Sequence, residues 1–152
     1  MAEAEVRKAL LAKGHAPDDV AAAISGLREQ RYLDDSGLAA RFARSRLENH
    51  GQGQRRIRQT LRKKGVVGPI IESGIRQAQG EVSEGEALER LARRYWERRQ
   101  RQPPERRLRS LWAFLLRRGY PAALVHERLH ALWPSWSDVL ENAERDLKED
   151  DE

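Results

Sequence analysis

The chain has 152 residues, 39% of them apolar and 35% charged, with a net charge of +5 and no cysteine. That balance favours small helical units over one large core, and it removes disulfides, thiolate metal sites and cysteine nucleophiles from consideration. No apolar run nears the roughly 20 residues that span a bilayer, and the amino terminus is too charged for a signal peptide, so a cytoplasmic protein without a membrane partner is expected.

Val6 and Leu10 lie one helical turn apart, Lys13-Gly14 ends that helix, Pro17 opens the next, and Val20 and Ile24 continue its inner face. Residues 1–33 thus read as two helices of a unit without its first helix, as in a chain that starts late or has been shortened. Asp35 or Ser36 then caps a helix to about Glu48, with Leu38, Ala39, Phe42, Ala43, Arg46 and Leu47 at a 3.6-residue period. A glycine-containing turn, Glu48 to Gln54, leads into a helix from Gln54 to Lys64, with Ile57 and Leu61 inward and Gly65 as its stop. Pro69 opens the helix carried by Ile70, Ile71, Ile75 and Ala78.

Ser83 caps a helix from Glu84 to Arg99, with Glu86 at the capping-box position and Leu88, Leu91, Ala92, Tyr95 and Trp96 as its apolar stripe. Pro103 and Pro104 stop it and start the next, where Leu108, Leu111, Trp112 and Leu115 share one face and Phe114 points elsewhere, toward a contact. Gly119 ends that helix, and Pro121, Val125 and Leu129 mark the last one. Trp133 and Trp136 then close the third unit or stack on a partner, with closure favoured because a terminal repeat needs a cap.

Counted from Gly14, Gly65 and Gly119, which lie 51 and 54 residues apart, the apolar offsets are the same in all three segments. Self-similarity at that period marks a repeat protein. The expected fold class is all-α, with tandem three-helix repeats in an elongated, curved arrangement and a first repeat lacking its first helix. Its divisions fall at residues 1–33, 34–82 and 83–136, followed by an acidic tail over 137–152.

Charge is unevenly placed along these units. Residues 41–64 carry a net +8, residues 90–118 a net +9 and residues 137–152 a net −6. Arginine supplies 24 of the 29 basic residues. Its planar fork suits phosphate and carboxylate; genome composition accounts for the choice of Arg over Lys equally well, but not for the clustering. With Ile57 and Leu61 inward, Arg55, Gln59 and Arg62 occupy the outer face, flanked by Arg56, Arg58 and Lys63. A solvated face normally mixes signs at i,i+4 spacing, which this one largely does not, so an anionic partner is the stronger reading.

The chain offers no credible catalytic, cofactor or metal site. His126 and His130 have i,i+4 spacing but no third ligand is marked, and the Gly51-Gln-Gly53 segment lacks the Lys-Ser/Thr ending of a phosphate loop. Asp18, Asp19, Asp34 and Asp35 sit at helix starts, where the macrodipole favours them as caps.

The run Tyr32-Leu33-Asp34-Asp35, then Phe42-Ala43-Arg44-Ser45-Arg46, Gly53, Arg55-Arg56-Ile57-Arg58-Gln59, Leu61 and Lys64-Gly65-Val66 resembles the signature of the RecX family, regulators of the bacterial recombinase RecA. The resemblance implies a curved, elongated protein that lies in the groove of the RecA filament on DNA and inhibits or modulates its activities, usually by blocking growth, ATPase and strand exchange. Contact residues on this reading are Arg44, Arg55, Arg56, Arg58, Arg62, Lys63 and Lys64 in the second unit, with Arg90, Arg93, Arg94, Arg117 and Arg118 in the third. The expected partners are the RecA filament and single- or double-stranded DNA, bound without sequence preference by a monomer. The acidic tail would compete for the basic ridge. The alternative is a helix-turn-helix-like protein acting directly on DNA, against which stands the poverty of base-reading side chains among the arginines. An enzyme has only the two histidines behind it.

Overall fold

The structure, a computed structural model, describes residues 1–30, 33–134, 138 and 145; among these are eight α-helices and no strand. α1 (Glu3–Ala12) and α2 (Pro17–Glu29) form the first repeat, and α3 (Asp35–Asn49), α4 (Gln54–Lys63) and α5 (Gly68–Glu81) the second. α6 (Glu84–Arg98), α7 (Pro104–Arg117) and α8 (Ala122–Leu132) form the third. Tyr32, Trp136 and all of the acidic segment but positions 138 and 145 lie outside the described residues.

The central helices α1, α4 and α7 end alike. Gly14, Gly65 and Gly119 adopt φ of 90°, 84° and 94°, in the left-handed region where a Cβ is costly. At each, the glycine N–H bonds three residues back and the next N–H five residues back, as in Val66 to Leu61 O at 3.1 Å and Tyr120 to Leu115 O at 3.3 Å. These bonds satisfy carbonyls that the helix leaves open. Val66 and Tyr120 are buried beneath the turn, whereas His15 is exposed.

By contacts the chain divides into two units, residues 1–46 with 57–82, and residues 47–56 with those from 83 onward. In the first, Val20, Ile24 and Leu33 are buried with Val6, Leu10 and Leu27 partly buried against them. Ala39 and Ala43 are fully buried along α3, and Gly74 of α5 lies against Ala39 and Ala40 so closely that a Cβ would strike their backbone. Small residues thus set the approach of two helices, as tight packing requires. In the second unit a core of Leu88, Ala92, Leu108, Leu111, Trp112, Leu115, Val125 and Leu129 joins α6, α7 and α8. Phe114 is half-buried in this core, stacked on Tyr95 at 4.7 Å, so it is packing material and not a free contact. Trp133 packs on Trp96 at 4.8 Å, in keeping with closure of the third repeat.

One joint occurs twice, once inside each unit. Asp35 Oδ1 accepts the Glu3 N–H at 3.0 Å, at the first position of α1, and Gly65 lies against Ala4. Glu84 Oε1 likewise accepts the Gln54 N–H at 2.9 Å, at the first position of α4, and Gly119 lies against the Arg56 backbone. In each case a carboxylate at the start of a first helix satisfies an open amide of the preceding central helix, where the macrodipole also favours it. The cap of α3 is therefore neither Asp35 nor Ser36: Asp34 Oδ1 accepts the Gly37 N–H at 3.0 Å. Ser83 caps α6 as its sequence predicts, accepting from the Glu86 N–H at 3.2 Å. The first position of α7 is Pro104, which carries no N–H.

Candidate nucleic-acid and filament interface

α4 is built to show one face. Ile57 and Leu61 are fully buried, and Arg55, Arg56, Gln59, Arg62 and Lys63 are exposed on the remainder of the helix. Arg55, Arg62 and Lys63 make no hydrogen bond or ion pair among the described residues. Their neighbours are engaged. Arg58 donates from Nε to Glu72 Oε1 at 2.5 Å and from a second nitrogen to Oε2 at 3.1 Å, a bidentate pair. The hydrogen bond from Arg58 holds the Glu72 carboxyl below its usual range, aided by the positive charges of Arg62 and Arg76. Lys64 lies 3.7 Å from Glu5, Arg44 lies 3.0 Å from Glu81 across α3 and α5, and Arg56 reaches the Arg117 carbonyl at 3.5 Å.

The third repeat divides in the same way. Arg90, Arg93 and Arg94 are exposed along α6 without hydrogen bond or ion pair among the described residues, and Arg117 is exposed at the end of α7. Arg118 is half-buried and has a structural task, donating from Nε to the Gly51 carbonyl at 2.8 Å and from a second nitrogen to the His50 carbonyl. Two further arginines are internal braces that sequence alone did not single out. Arg107 is buried, donates to the carbonyls of Gln100 and Gln102 at 2.9 and 3.0 Å and lies over Trp96 at 4.3 Å. Arg128 pairs with Glu89 at 3.0 Å, which raises its already high pKa.

Of the twelve expected contact residues, the structure therefore leaves Arg55, Arg62, Lys63, Arg90, Arg93, Arg94 and Arg117 presenting their charge outward. Arg58, Lys64, Arg44 and Arg118 are paired within their own unit, and Arg56, though exposed, bonds to the Arg117 carbonyl. A feature missed in the sequence is a cleft of about 150 Å³ in the second unit, between the α3 end, the His50-Gly51 turn and α6. Its walls lie some forty residues apart in the chain, so no local pattern marks it. His126 and His130 stack in parallel with centroids 6.1 Å apart, and no group of three or more metal-ligating side chains occurs among the described residues. No described helix is long and apolar enough to cross a membrane.

Family models for the second and third three-helix domains of RecX match residues 34–75 and 83–129. The chain is similar to the regulatory protein RecX of Chromohalobacter salexigens, 34% identical over 89% of this chain and 84% of that one. It is also 29% identical to the regulatory protein RecX of Deinococcus radiodurans, spanning 91% of this chain but 61% of that longer relative. Among solved structures, RecX from Lactobacillus salivarius superimposes with a TM-score of 0.78 at 19% identity, covering 86% of this chain and 84% of that one, a likeness of fold. A second crystal structure of regulatory protein RecX gives a TM-score of 0.70 at 28% identity over 81% of this chain and 60% of its own.

Proposed function

The chain belongs to the RecX family of regulatory proteins, and from that membership we propose that it binds the RecA–DNA filament as a cytoplasmic monomer and inhibits its recombinase and ATPase activities. Residues 34–82 and 83–136 are the working repeats on this reading. The observation that carries it is the outer face of α4, where Arg55, Arg62 and Lys63 stand exposed without an ion pair among the described residues, on a helix fixed from within by Ile57 and Leu61. Like charges so placed repel one another, and an anionic surface relieves that repulsion. The exposed arginines of α6 extend the same chemistry in the third repeat.

The test is inhibition of the recombinase's ATPase on single-stranded DNA. Arg55→Ala with Arg62→Ala and Lys63→Ala is expected to raise the concentration for half-inhibition about tenfold, a loss of about 1.4 kcal/mol, with an unchanged unfolding midpoint. Arg58→Ala, by contrast, breaks the pair with Glu72 and acts first on stability. A folded triple variant that inhibits as well as the parent removes α4 from the interface. Inhibition of the ATPase with no affinity for DNA alone assigns the ridge to the recombinase surface.

A further inference from the structure

We propose that the cleft between the α3 end and α6 is a phosphate-binding site, whose occupant is a phosphodiester of single-stranded nucleic acid. The inference rests on nucleic acid being one of the partners above, and it names a place for it. Arg90 and Arg94, one helical turn apart on α6, form one side of the cleft, which has a volume of about 150 Å³. Both are exposed and neither makes a hydrogen bond or ion pair among the described residues. Leu47, Ala87, Leu91, Asn49, His50 and Gly51 complete the lining. Glu48 is the single carboxylate in the lining, so two guanidinium groups face one negative charge.

The rim is held in place. Gly51 has φ of +55°, and a Cβ there would stand 3.0 Å from a Leu91 methyl, so the turn approaches α6 as closely as a glycine permits. Arg118 binds the His50 and Gly51 carbonyls from behind. Those carbonyls follow the carboxyl end of α3, the negative end of its dipole, and the Arg118 charge offsets a field that would otherwise repel an anion. Arg118 is thus a positioning residue, while Arg90 and Arg94 hold the ligand. Two forked guanidinium groups one turn apart match the oxygens of one phosphate, and lysine cannot reproduce the fork.

The experiment titrates the full chain with pyrophosphate and, separately, with fluorescein-labelled dT8, reading backbone amide resonances for both and anisotropy for the oligonucleotide. Both probes are expected to move the amides of His50, Gly51 and Leu91. Arg90→Lys with Arg94→Lys, which keeps the charge, is expected to weaken dT8 binding about tenfold, whereas Arg106→Lys with Arg109→Lys, exposed on α7 and outside the cleft lining, leaves the three shifts in place. Absence of the shifts with both probes, or a lysine variant that binds as the parent does, overturns the site. Shifts with pyrophosphate alone overturn the nucleic-acid occupant. Tight dT8 binding without the three shifts removes the cleft and leaves the broader function standing; no dT8 binding at all counts against the nucleic-acid partner, with pyrophosphate still deciding the cleft.

Discussion

Glu84 is a carboxylate turned inward, 7% exposed, accepting from the backbone N–H of Gln54 and, at 3.1 Å, from its side-chain nitrogen. Removing it takes one accepting carboxylate from both donors. Glu84→Ala is expected to lower the unfolding free energy by about 2 kcal/mol, read from the urea midpoint, and Glu84→Gln by less because its carbonyl still accepts. Tyr120 lies nearby, fully buried, with an Oη that has no hydrogen-bond partner among the described residues. Burial, reinforced by the Glu84 charge and opposed by Arg118 and Arg90, pushes its phenol up to about 12. The fold therefore favours the neutral phenol. Below the unfolded value of about 10 both states are protonated and stability is whole; it falls by about 2 to 3 kcal/mol as the pH rises from there toward the folded value. Urea midpoints between pH 9 and 12, on the order of one unit apart, are expected to show this loss, and Tyr120→Phe to abolish it. A phenylalanine variant with the same alkaline loss assigns it to other groups.

Gly14, Gly65 and Gly119 are equivalent in register and left-handed φ, yet their surroundings differ. A Cβ on Gly14 meets no atom within 4 Å, on Gly65 it meets Ala4, and on Gly119 it meets the Arg56 backbone. Gly14→Ala carries the backbone term alone, about 1 to 2 kcal/mol for an L-residue in the left-handed region. Gly119→Ala adds a collision that only movement of α4 relieves, so its thermal midpoint is expected to fall well below that of Gly14→Ala. Equal midpoints would show that the α4 start yields freely. The glycine stops and the Ser83 cap were legible because both are local, written within five or six residues. Asp34 displaced Asp35 as the cap because Asp35 is occupied by Glu3, 32 residues away. Phe114 misled for the same reason: its own helix places it off the stripe, but Tyr95 on α6 covers it. Charge was legible as density and not as availability, since Arg58 is held by Glu72 and Arg118 by carbonyls 67 and 68 positions back.

At the scale of the whole molecule, a net charge of +5 understates the attraction for anions, since it averages basic segments of +8 and +9 with an acidic one of −6. If about four phosphates are neutralised, single-strand affinity is expected to fall about fiftyfold between 50 and 200 mM salt. Fluorescence anisotropy across that range checks it, and a flat response assigns the arginines to protein contacts. The joint at Glu3 and Gln54 sets a condition on the central helices. It needs a backbone N–H at the first helical position for the next carboxylate to accept. Pro104 stands where that bond would next be made, and it has no hydrogen to give. The same residue that starts α7 thereby ends the recurrence: the third central helix offers no amide at the position where α1 and α4 are each held by a carboxylate.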